Sequence, residues 1–348
     1  MGSYNFEYLD KLVHSDVNEI VLDDDVVLGN MEEFKYRDGI NLDVDDLIID
    51  GNGHCVDAKC KVRIFYCTAC NVTIRNITLK NGFSKENGGA IHIDEGDMNI
   101  LQSTIVSNSS EEDGGAIFNE DGKLTISKSA LEQNISGDFG GAINNWGTLS
   151  IDESSLKNNK ANNGGAIFND DAKLKISETA LEQNRANQGG AIFNNDCSEL
   201  DILKSALCKN SAAKGGAIFN DDSDVNISQS LINSNTADED GGAIHNESDL
   251  NITQSALNSN IANHDGGAIY NFKADLNIRE SVFRGNMAGN NGGVIHNHDA
   301  EMTIIQSELA DNSASNCGGA ISLADSLYDS DNCTFKDNKP DDICDDSH

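Results

Sequence analysis

The tetrapeptide Gly-Gly-Ala-Ile, with Val294 once replacing the alanine, begins at Gly88, Gly114, Gly140, Gly164, Gly189, Gly215, Gly241, Gly266, Gly292 and Gly318. Ten copies at spacings of 24 to 26 residues make the chain a stack of equivalent units, each burying its apolar side against its neighbours. A second signature stays in phase with the first. An apolar residue precedes x-x-Asn in each unit, as in Leu131 to Asn134 and Leu257 to Asn260, and the residue five before the Asn is Ser except at Thr179 and Cys333.

A period near 25 is too short for paired helices, and the chain has one proline and no helical periodicity inside a unit. Each unit reads as three short strands, such as Gly164 to Asn169, Leu174 to Thr179 and Leu181 to Asn184. The pattern predicts an all-β, right-handed, single-stranded parallel β-helix of about twelve coils. Equivalent residues then stack about 4.8 Å apart, so each position becomes a ladder. Alternation turns Leu124, Ile126, Leu174, Ile176, Leu276 and Ile278 inward and Thr125, Lys175 and Asn277 outward. The glycines suit a corner that needs positive φ or close backbone approach, and the stacked Asn amides suit bonding between turns.

Three segments follow. Residues 1–39 form an N-terminal cap, with Phe6, Leu9, Leu12 and Val13 on one side of a short helix and an entering strand from Glu19 to Leu28. The β-helix spans residues 40–338, its first coils lacking the double glycine. Residues 339–348 read as an acidic, frayed tail.

The paired motifs resemble the repeats of the chlamydial polymorphic membrane proteins. Residues 49–58 (Ile-Asp-Gly-Asn-Gly-His-Cys-Val-Asp-Ala) and the run from Asn71 to Gly82 resemble the start of adhesin-like proteins of methanogenic archaea. The resemblance implies a pectate-lyase-like β-helix displayed on a cell surface and used for attachment, with no catalytic residue. It implies export, yet the chain has neither a cationic start followed by an apolar core nor a run of about 20 apolar residues. An excised extracellular passenger domain is the expected form, with a cytoplasmic relative as the alternative.

With 24 basic and 58 acidic residues the net charge is −34, which disfavours nucleic acid, anionic membrane and polyanionic glycans as partners through long-range steering. A monomer that binds a glycan or a cell-surface protein is expected. The candidate binding row lies four residues after each first glycine: His92, Phe118, Phe168, Phe193, Phe219, His245, Tyr270 and His296, interrupted by Asn144 and ended by Ser322. If the neighbouring Ile is core, this row faces outward and is exposed. The competing reading has the rings stacking on one another or lying inside.

The sequence calls for no cofactor, with calcium as a candidate. Asp171, Asp196 and Asp222 fall in register in three successive coils, where stacked carboxylates repel and Ca²⁺ would relieve them. Cys55, Cys60, Cys67 and Cys70 offer one Cys-x-x-Cys, a candidate for zinc or a disulfide against reduced core thiols. Cys317, Cys333 and Cys344 cluster where a clip would resist fraying. A β-helix lyase or hydrolase would concentrate odd residues in two or three coils. The near-uniform coils argue for a non-enzymatic protein, with a polysaccharide lyase or hydrolase and a structural spacer as alternatives.

Overall fold

The computed structural model describes residues 4–345. It is an all-β parallel solenoid with one short helix, Phe6–Val13, at its start. The fold divides into two compact units. One comprises Met1–Asn162 with Ala166–Lys173, the other Asn163–Gly165 with Leu174–His348.

Each coil of either unit contributes one strand to each of three parallel sheets. In the first unit these are typified by Ile117–Glu120 in the glycine sheet, Lys123–Ser127 in the second and Ala130–Glu132 in the third. Among the described residues each sheet is six strands deep in the first unit and seven in the second, which makes thirteen turns. The additional turn relative to the expected twelve arises at the N-terminus. There Glu19–Val21 pairs with Ile48–Asp50 and Val26–Val27 with Cys55–Asp57, so the entering segment already forms a coil.

Registers follow the repeat. Leu124, Ile126, Leu174, Ile176, Leu276 and Ile278 are all at most 2% exposed, whereas Lys175 and Asn277 between them face water. The helix caps the core with Phe6, Leu9 and Val13, each 0% exposed. Asn5 caps it in turn, accepting the Tyr8 N–H at 3.0 Å.

Both glycines of each pair are required, for different reasons. Gly215 has φ +61°, a left-handed conformation that costs an L side chain about 1–2 kcal/mol. A Cβ on Gly216 would fall 2.2 Å from the carbonyl oxygen of Gly242, in the next coil. Successive corners thus touch backbone to backbone.

Asparagines bond the coils together from within. In the second unit the Asn235 backbone N–H and side-chain Nδ2 both donate to Asn260 Oδ1, at 3.0 and 3.1 Å, while Asn235 Nδ2 also reaches the Leu207 carbonyl at 2.9 Å. A second ladder lies beneath the glycine sheet, where Asn119 donates to Asn145 and Asn145 to Asn169, both at 2.7 Å. Serines form a third, in which Ser230 N–H donates to Ser255 Oγ and Ser255 N–H to Ser281 Oγ.

The segment expected to fray from residue 339 instead returns to the sheet at Ile343–Asp345. Ile343–Asp345 pairs with Ile321–Ala324, and Cys344 is disulfide-bonded to Cys317. Residues 346–348 lie outside the described residues.

Candidate functional site

The side of the glycine sheet on which the rings lie follows from alternation. Ile117 and Asn119 are on the inner side, where Asn119 joins the amide ladder. Phe118 shares the other side with Glu120, whose carboxylate is 40% exposed. The rings are nevertheless not open to water. Phe118 is 1% exposed, Phe168 and Phe193 are 5%, Phe219 is 4%, His245 is 2% and His296 is 5%. The expectation of an exposed aromatic face is therefore corrected. Only His92 and Tyr270 are half-buried. The cause is packing along the ladder, because rings repeated at strand spacing cover one another's faces.

In the first unit the row begins at Tyr66, which lies 5.0 Å from His92, itself 5.0 Å from Phe118. Asn144 interrupts it. Two aromatic residues that the repeat does not mark fill the gap: Trp146 meets Phe118 edge-on at 5.0 Å, and Phe139 packs on Phe168 at 4.5 Å. Trp146 stands two residues beyond the ring position, on the same side, and is 40% exposed.

In the second unit the stack runs Phe193, Phe219, His245, Tyr270, His296. Centroids are separated by 4.7 to 5.5 Å and every interplanar angle is 23° or less.

Acidic groups accompany both rows. His92 Nε2 lies 3.0 Å from Glu120, and His245 Nε2 lies 3.0 Å from Glu247. Burial, reinforced by the Arg63 charge, pulls the His92 pKa down, while hydrogen bonding to His245 keeps the Glu247 carboxyl low. Burial, followed by the hydrogen bond to Asp94, pushes the Tyr66 phenol up to about 12. Tyr270 is likewise pushed up to about 12, first by burial and then by Asp240, Asp265, Glu247 and Asp299. Asp113 accepts the Phe139 N–H at 3.1 Å, yet burial and the nearby carboxylates of Asp138 and Glu112 raise it to about 6. A partner meeting these faces meets carboxylates and the exposed Trp146 ring rather than the buried rings, which favours neutral or cationic chemistry.

Asp196 and Asp222 in the second unit bring a carboxylate oxygen each within 4.8 Å of the other and of Cys197 Sγ, all exposed. Asp171 lies in the first unit, beside Asp170, Asp121 and Trp146 around a shallow cleft of about 280 Å³. The pair supplies two hard oxygen ligands and one soft sulfur, short of the six to eight oxygens Ca²⁺ takes.

Cys55, Cys60, Cys67 and Cys70 are free thiols, and among the described residues no three of them form a metal-ligating group. Cys55 is on a strand of the third sheet, whereas Cys67 points into the core beneath the glycine sheet. Burial pushes the Cys67 thiol up to about 11, opposing the thiolate that a metal needs.

Sequence comparison matches residues 153–170 and 229–247 to the Chlamydia polymorphic membrane protein repeat. No curated protein matches the chain. Among solved structures, similarity extends to the periplasmic alginate epimerase AlgG, at 12% identity over 99% of this chain and 84% of that one, with a TM-score of 0.44. The SRRP of L. reuters 100-23 is similar at 15% identity over 99% and 98%, again with a TM-score of 0.44.

Proposed function

We propose that the protein is a non-enzymatic, adhesin-like surface β-helix that binds a glycan or a protein through its long faces. The observation that carries this reading is the outer side of the glycine sheet, where a packed ring row is bordered by the carboxylates of Glu120 and Glu247 and by the exposed ring of Trp146. The two matched polymorphic membrane protein repeats support surface display, and the likeness of residues 49–58 to archaeal adhesin-like proteins points the same way. A glycan-cleaving β-helix is the competing reading.

The test presents the purified chain to intact cells and to a panel of neutral and acidic glycans, with the same wells assayed for cleaved product. Retention without cleavage, weakened by Trp146→Ala and Tyr270→Ala, is expected. Cleavage would overturn the proposal, and neither retention nor cleavage would leave a structural spacer as the better account.

Calcium belongs to this proposal as a stabiliser at Asp196 and Asp222, with Asp171 a separate acidic position. Added Ca²⁺ is expected to raise the melting temperature by a few degrees, an effect that Asp222→Asn abolishes. Identical melts with Ca²⁺ and with chelator would remove calcium from the account.

A further inference from the structure

The first unit holds a cavity of about 500 Å³ beside its early coils, lined by no residue of the ring row and none of the repeat signatures. It is bounded by the short 3-10 helix Glu32–Phe34, by the turn at Cys60 and Lys61, and by the strand Phe83–Ser84 with the residues after it. Its chemistry departs from that of the rest of this acidic chain. Arg37, Lys61 and Lys85 line it together with the carboxylates of Glu33, Asp38 and Glu86. Lys61 is held by Glu33 at 2.7 Å.

Behind the cavity, Arg63 is 4% exposed, and the groups it donates to are neutral. Nε bonds the Gly88 carbonyl at 2.9 Å, and Nη2 bonds the Asn87 carbonyl at 2.7 Å and Ser84 Oγ at 3.1 Å. The negative charges acting on this buried cation are Asp38 and Glu86. Arg37 and Lys85 remain as exposed cations with no ion pair among the described residues. Phe34 is 76% exposed at the rim and offers a ring face to whatever enters.

We propose that this cavity binds an anionic sugar ring, its carboxylate or sulfate held by Arg37 and Lys85 and its ring laid on Phe34. A planar guanidinium matches an oxyanion in two-pronged fashion, and an exposed aromatic face suits the apolar side of a sugar. The three carboxylates decide against a simple anion, which they would repel, and in favour of a polyhydroxylated one whose hydroxyls donate to them. Arg63 also lies over the Tyr66 ring at 5.9 Å, where the ring row begins, but no ring residue lines the cavity, so its test is separate from that of the adhesin reading.

Cys60 lines the cavity and is exposed, which makes it a reporter. Cys70 and Cys197 are exposed thiols elsewhere and serve as internal controls. Alkylation of each cysteine would be followed by mass spectrometry in the presence of glucuronate, glucose 6-sulfate or glucose at millimolar concentrations. An anionic sugar is expected to slow Cys60 roughly tenfold once it exceeds its dissociation constant by that factor, because only free protein reacts. Cys70 and Cys197 should be unchanged, and glucose should have little effect. Protection by one anion alone identifies the group recognised. Arg37→Gln with Lys85→Gln should abolish protection, and Phe34→Ala, at a solvent-exposed position, should weaken it. No protection by either anion, equal protection by glucose, or protection that survives these substitutions would overturn the assignment.

Discussion

His245 lies flat against Phe219, with ring centroids 4.7 Å apart and planes 8° from parallel, while its Nε2 meets Glu247 at 3.0 Å. A histidine here does the work of a phenylalanine on both faces and adds a polar edge. That is why the ring position tolerates Phe, His and Tyr: each is planar, and the stack selects planarity before polarity.

The stack is structural before it is adhesive. Phe219→Ala, at a position 4% exposed, should destabilise the protein by about 3–5 kcal/mol, as for a core aromatic. Phe219→Leu should recover part of that. Denaturant unfolding measures both, and a near-neutral Phe219→Ala would mean that the rings open to solvent.

Asp113 gives a pH signature. Its carboxyl is raised to about 6 in the folded chain, so folding favours the protonated form. The associated stability is present below the unfolded value near 4 and is lost as pH rises through about 6. Asp113→Asn keeps an acceptor for the Phe139 N–H and should melt higher than the parent at pH 8, but equally at pH 3.5. Parallel melting curves at the two pH values would contradict this.

The glycine pair separates two causes of strain. Gly285 also has positive φ, +64°, but a Cβ there would meet only Ser259 Oγ at 3.7 Å. Gly285→Ala should therefore cost about 1–2 kcal/mol. Gly216→Ala adds a collision with backbone 2.2 Å away and should prevent folding or cost well above 4 kcal/mol. Equal effects, by chemical denaturation, would show that the corners can relax.

The disulfide fixes the last described strand. Seven cysteines should alkylate after denaturation without reductant, and all nine after reduction. Cys344→Ser should speed amide exchange in Ile343–Asp345 while leaving the coils before Cys317 protected. Uniformly faster exchange would mean that the bond stabilises far more than its own coil.

The sequence carried the fold because a solenoid writes its geometry as a period: the strand positions, the inward Leu and Ile residues and the Asn ladders all follow from spacing. The ring row was located by the same rule, but its burial was not. Alternation gives a side of the sheet, whereas exposure depends on how rings at 4.7 to 5.5 Å cover one another. Trp146, Glu120 and Glu247 stand two residues beyond ring positions, so period two marks their side, though not their contacts. The partner of Cys344 had a signal in hindsight, since 27 residues is close to one coil. The cavity near Arg37 had none, because it is assembled from the non-repeating turns.

The asparagine ladder of the second unit has a direction. From Asn210 to Asn312 each side-chain amide donates forward to the asparagine oxygen of the coil that follows, as Asn286 does to Asn312 and Asn312 to Asn338, and backward to a backbone carbonyl of the coil before, as Asn312 does to Phe283. At Asn338 the sequence of amides ends on a carboxylate, with Nδ2 donating to Asp342 Oδ1 at 2.8 Å. Asp342 thus stands where the oxygen of the next asparagine stands in the coils before it. A further 25-residue unit inserted before Asn338 would find a donor on one side and an acceptor on the other, whereas one appended after Asp342 would have to displace a negative charge to begin.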